Sequence, residues 1–214
     1  AYTGAATLTA SGDDGAVVEN TNKVTWPSGK QYIFNGGTHA LTFYPGELPN
    51  DKSTETEVSA SIQVKANTTL TLKARDFGGW SGSHFNNIAL SVKGENAKVI
   101  AASFDDTNPG CFVGRVYLAD GATIQGGDNN TDAINFFGNA DDANIHVTSG
   151  AASWTNKLWI GNGGGGDITN LGITVEDAAS FDLSALVQNN KGIKKCGAGA
   201  MTLSGENTST GSLI

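Results

Sequence analysis

Ile62-Gln63-Val64-Lys65-Ala66-Asn67-Thr68-Thr69-Leu70-Thr71-Leu72 contains two runs in which apolar and polar residues alternate, joined by a short polar turn. Strict alternation marks strands with one face buried. Ile173-Thr174-Val175-Glu176-Asp177-Ala178-Ala179-Ser180-Phe181-Asp182-Leu183 repeats the layout position for position, and Val116-Tyr117-Leu118-Ala119-Asp120-Gly121-Ala122-Thr123-Ile124 matches it as well. Along the chain the pairs Ile62/Val64, Leu90/Val92, Val116/Leu118, Ile145/Val147, Ile173/Val175 and Met201/Leu203 begin 28, 26, 29, 28 and 28 residues apart. Such a period marks one supersecondary unit stacked on copies of itself. Two more apolar sets keep step: Leu70, Val99, Ile124, Trp154 and Phe181, then Phe77, Phe104, Phe136, Ile160 and Leu186. Three short strands per repeat predict an all-β fold, a right-handed parallel β-helix (solenoid) with about 28 residues per coil and about five or six coils after residue 60. No window sustains a 3.6-residue period with caps, so almost no helix is expected.

Composition agrees with a solenoid. The 214 residues include 29 Gly and only 16% charged residues, with Ser, Thr, Asn and Asp between the apolar pairs, which is turn chemistry. An apolar content of 38% is modest, but a solenoid buries only a thin column. Disorder fits the composition and not the periodicity of the apolar pairs. Residues 1–60 differ from the rest: Pro27, Pro45 and Pro49 lie there with Trp26, Tyr32, Phe34, Phe43 and Tyr44. This segment reads as an N-terminal cap with irregular first coils, with Tyr32-Ile33-Phe34 and Leu41-Thr42-Phe43 as strands; a separate small domain is the alternative. Residues 61–214 then form the β-helix, which the sequence leaves partway through a coil.

The net charge of −8 and the lack of a basic cluster beyond Lys194-Lys195 argue against a nucleic-acid partner. No run of 18 apolar residues exists to span a membrane as a helix. Ala1-Tyr2-Thr3-Gly4 lacks the basic and apolar regions of a signal peptide, and the expectation is that one has been removed. Cys111 and Cys196 each precede an apolar pair by five residues, which places them at equivalent positions three repeats apart. That separation, roughly 14 Å at the strand spacing, exceeds the reach of a disulfide and predicts free thiols.

Candidate chemistry is sparse. Asn130-Thr131-Asp132 followed by Asp141-Asp142 offers carboxylates of the kind that protonate a glycosidic oxygen and activate water, so a glycan hydrolase or lyase using Asp132, Asp141 and Asp142 is the alternative function. Their spacing is short and the companion segments of such sites are missing. His39, His84 and His146 are scattered, and His146, between Ile145 and Val147, is expected to face solvent. Asp105-Asp106, Asp128 and Asp141-Asp142 present oxygen ligands in turns, but no calcium nonapeptide recurs; no metal and no cofactor is expected. Gly163 to Gly166 lacks the helix and Lys-Ser/Thr of a phosphate loop. Phe136-Phe137-Gly138-Asn139 and Leu158-Trp159-Ile160-Gly161-Asn162 both end in Gly-Asn, which suggests an amide ladder between Asn139 and Asn162. Trp80, Tyr117 and Trp159 are the aromatics with which a flat outer face would stack on sugar rings.

Near the C-terminus, Lys195-Cys196-Gly197-Ala198-Gly199-Ala200-Met201-Thr202-Leu203-Ser204-Gly205-Glu206-Asn207-Thr208-Ser209-Thr210-Gly211 resembles the autotransporter-associated β-strand repeat, with Ala200, Met201 and Ser209 in place of the usual Thr, Leu and Tyr. Residues 158–183 look like looser relatives, and 1–115 match only in period. The resemblance implies a bacterial secreted or surface-displayed passenger with a β-helix stem, and it implies no activity. The membrane barrel that ends such proteins is not in this sequence, and a longer parent chain is the expectation. The function expected from the sequence is a structural stalk or adhesive module facing a host or environmental glycan or surface protein, with no chemistry of its own.

Overall fold

The computed structural model describes residues 7–11, 17–20, 31–43, 60–74, 88–103, 111–112, 115–126, 133–136, 145–155, 157–160, 170–184, 186–188, 192–206 and 211–214. These form twenty strands and no helix: β1 (Thr7–Ser11), β2 (Val17–Asn20), β3 (Gln31–Asn35), β4 (Gly37–Phe43), β5 (Ala60–Val64), β6 (Thr68–Ala74), β7 (Ile88–Lys93), β8 (Lys98–Ser103), β9 (Cys111–Phe112), β10 (Arg115–Ala119), β11 (Thr123–Gly126), β12 (Ala133–Phe136), β13 (Ile145–Ser149), β14 (Ala151–Trp154), β15 (Lys157–Ile160), β16 (Asn170–Val175), β17 (Ser180–Leu183), β18 (Leu186–Gln188), β19 (Gly192–Cys196) and β20 (Ala200–Leu203). Every ladder is parallel and skips along the chain. The first sheet runs β1-β3-β5-β7-β10-β13-β16-β19, the second β2-β4-β6-β8-β11-β14-β17-β20, and the third β9-β12-β15-β18. This is a parallel β-solenoid, and strands from residues 7–43 belong to the same two long sheets as those that follow.

The first sheet stacks the predicted apolar pairs rung on rung: Ile62 on Leu90, Leu90 on Val116, Val116 on Ile145 and Ile145 on Ile173, each with its companion two residues on. The last step departs from the expectation. Ile173 pairs with Lys195 and Leu171 with Ile193, an offset of 22 residues, while Met201 and Leu203 pair with Phe181 and Leu183 in the second sheet. The coil is shortened there, so the 28-residue spacing to Met201 joins positions in different sheets. The cysteines are likewise not equivalent: Cys111 pairs with Ile134 in the third sheet and Cys196 with Thr174 in the first, with Cys196 a free thiol.

The tight turn between first and second sheets recurs at a fixed place. Asn67, Asn96, Asp120 and Ala178 have φ of 54, 58, 55 and 61°, and Gly150 has 61°. Asn, Asp and Gly tolerate this left-handed region best. The turns bond upward: Asn67 N donates to Glu95 O at 2.8 Å, and Asp120 N to Ser149 O at 3.0 Å. Asn96 Nδ2 donates to Asn67 Oδ1 at 3.1 Å, an amide ladder on this turn; Asn139 and Asn162 lie outside the described residues. At the last rung Gly197 and Gly199 lie so close to the backbone of Val175, Glu176 and Ala179 that a Cβ on either would strike a carbonyl oxygen. That contact explains the Gly-x-Gly of the C-terminal motif.

The core is one continuous column. Inward residues of the first sheet, from Phe34 and Ile62 to Val175, and of the second, from Leu41 and Leu70 to Leu183, form a single buried cluster. In the second sheet Trp154 stacks on Ile124 and Leu183, and Phe181 on Ala152. Phe181 therefore sits one inward position away from the predicted column, because bulky Trp154 leaves its room beside small Ala152. In the third sheet Phe136 pairs with Ile160, whereas Leu186 pairs with Lys157; Phe77 and Phe104 fall outside the described residues.

Candidate functional site

Alternation along β10 buries Val116 and Leu118 and turns Arg115 and Tyr117 outward. The ladders then place Gln63, Ser91, Tyr117, His146, Thr174 and Cys196 in one outward column on successive rungs. Glu176 begins the turn after β16, and its backbone N donates to Val147 O at 3.0 Å, which fixes it beside β13. From there its Oε1 accepts a hydrogen bond of 2.7 Å from His146 Nε2. The Tyr117 ring leans against His146, with centroids 6.0 Å apart and planes at 44°. His146 faces solvent as expected from its position between two inward residues, its side chain 27% exposed and that of Glu176 49%. A side-chain pair so exposed contributes under about 1 kcal/mol to stability. Its effect is to fix the orientation of the imidazole, and through it the ring of Tyr117.

The outward face of the second sheet carries different chemistry. Thr38, Thr69, Lys98, Thr123, Ser153, Asp182 and Thr202 follow one another on successive rungs. Ser153 Oγ donates to Thr123 Oγ1 at 3.2 Å, and Ser204 Oγ to Asp182 Oδ1 at 2.9 Å. A shallow open depression of about 290 Å³ lies over Gly121, Ala151, Ser153, Ser180, Asp182 and Thr202. It arises because the outward residues beside the turn are small.

Of the sequence candidates, Tyr117 is the one whose side chain is described. Asp132, Asp141, Asp142 and Trp80 lie outside the described residues, and Trp159 pairs within β15 with Asn135 and Gln188. His39 points inward: it is 3% exposed, its Nε2 donates to Gly36 O at 2.6 Å, and its ring lies 5.3 Å from that of Phe34. Among the described residues no three His, Cys, Asp or Glu side chains converge as metal ligands, and no helix there is long and apolar enough to cross a membrane. Sequence reading missed the His146–Glu176 pair. Its signal was present, since the two are 30 residues apart, close to one repeat. Compared with known proteins, the chain matches no family model, no curated protein and no solved structure at a significant level.

Proposed function

We propose that the chain is a secreted or surface-displayed bacterial solenoid that acts as a stalk or adhesive module, binding a host or environmental glycan or surface protein without chemistry of its own. The observation that carries the reading is the unbroken stacking of two eight-stranded parallel sheets. Seven rung spacings make a rod of about 34 Å, with flat faces on which side chains recur at every rung. We take its winding to be right-handed, the hand that parallel crossovers adopt, with about 28 residues in a typical coil. The run from Lys195 to Gly211 supports the likeness to autotransporter-associated repeats. An open face suits binding better than catalysis, because acid and base groups act most strongly where water is excluded. The test is retention of the purified chain on immobilised glycans and host surface proteins, with the same glycans assayed for new reducing ends or unsaturated products. Retention without products is expected; turnover would replace this reading with an enzyme.

A further inference from the structure

We infer that Tyr117, His146 and Glu176 form a subsite for one uncharged sugar unit of a glycan, an inference that rests on the reading of the chain as a binding module. The three come from three successive rungs, so the patch spans about 10 Å along the rod. A sugar has an apolar C–H face and an edge of hydroxyl groups, and the patch offers a counterpart to each. The half-buried ring of Tyr117 supplies an apolar surface with a polar tip. Beside it, His146 Nε2–H is engaged by Glu176 Oε1. This leaves imidazole Nδ1 and carboxylate Oε2, neither bonded to a described residue, as acceptors on the solvent side.

Two acceptors next to an aromatic face call for a ligand with adjacent hydroxyl donors. Carboxylate- and sulfate-bearing polymers are disfavoured by Glu176 and by the net charge of −8. Arg115, two residues before Tyr117 on the same face, already interacts within the protein. The parts are also held in advance of binding, since two of them stand on paired strands and the third on a turn bonded to Val147, which lowers the ordering cost of association.

Calorimetry of the intact chain against neutral glucans, galactans and mannans, uronate or sulfated polymers and an amine-bearing glycan tests the subsite. Tyr117→Ala, Tyr117→Phe, His146→Ala and Glu176→Gln are compared with Asp182→Asn on the other sheet, with folding checked by circular dichroism. The expected result is binding to a neutral glycan that weakens at least tenfold in Tyr117→Ala and Glu176→Gln, survives in Tyr117→Phe and is unchanged in Asp182→Asn. Neutral-glycan binding that stays within twofold in all four site variants would overturn the subsite while leaving the adhesive reading in place. Binding restricted to charged polymers would overturn it too. Binding to none of these polymers would remove both the subsite and the glycan-binding reading, and leave the stalk.

Discussion

Ala178 holds φ at 61° in a turn position occupied in other coils by Asn67, Asn96 and Gly121. An L-residue with a plain Cβ is disfavoured there by about 1–2 kcal/mol, and the bond from Ala178 N to Asp177 Oδ1 does not depend on its side chain. Ala178→Gly should therefore raise stability by up to about 1 kcal/mol, the unfolded-state entropy of glycine offsetting part of the gain, and a thermal melt would read it as a rise of a few degrees. The reverse holds at Gly197, where φ is 78° and a Cβ would meet the Val175 carbonyl oxygen. Gly197→Ala should cost roughly 2 kcal/mol or more, read as a lower denaturant midpoint at unchanged slope. Gly197 stands out in the sequence because the Lys-x-Gly-x-Gly run frames it. Ala178 does not, since an alanine says nothing about its backbone until neighbouring turns are aligned.

Strand columns were legible to different depths for a physical reason. In the first sheet, single apolar residues flanked by polar ones leave one way to bury each strand, so Ile62 through Ile173 follow from alternation. In β17 both Phe181 and Leu183 are apolar and inward, and alternation permits either against Trp154. Side-chain volume selects Leu183, with Phe181 filling the space beside Ala152. The shortened coil before β19 misled the period in the same way, because Met201 and Leu203 alternate as a first-sheet strand would while pairing in the second. Of the site, the outward turn of Tyr117 and His146 was readable from the strand pattern; the bond to Glu176 was not, because it depends on how the β16 turn folds back over β13. Trp154 is 1% exposed between Ile124 and Leu183, so Trp154→Ala should lose about 3–5 kcal/mol. Proteolysis under native conditions is the direct check: the variant should be cut first within β11, β14 or β17, the three rungs that share the cavity.

Across the molecule each rung touches only the rungs above and below, so stability is a sum of neighbour terms with no single centre. Amide hydrogen exchange should be slowest in β7, β8, β10, β11, β13, β14 and β16, which have partners on both sides, and fastest in β1, β2 and β20, which end the two long sheets; β19 gains bonds from residues 212–214 and falls between. Protection of equal strength in every strand would contradict this gradient. The partner offsets of 28, 26, 29 and 28 residues, then 22, carry one more consequence. Stretching the chain by its ends in an optical trap should release it as a staircase, one coil per step. Each step frees about 95 Å of contour for a 28-residue offset and about 75 Å for the 22-residue one, so the shortest step would identify the C-terminal coil.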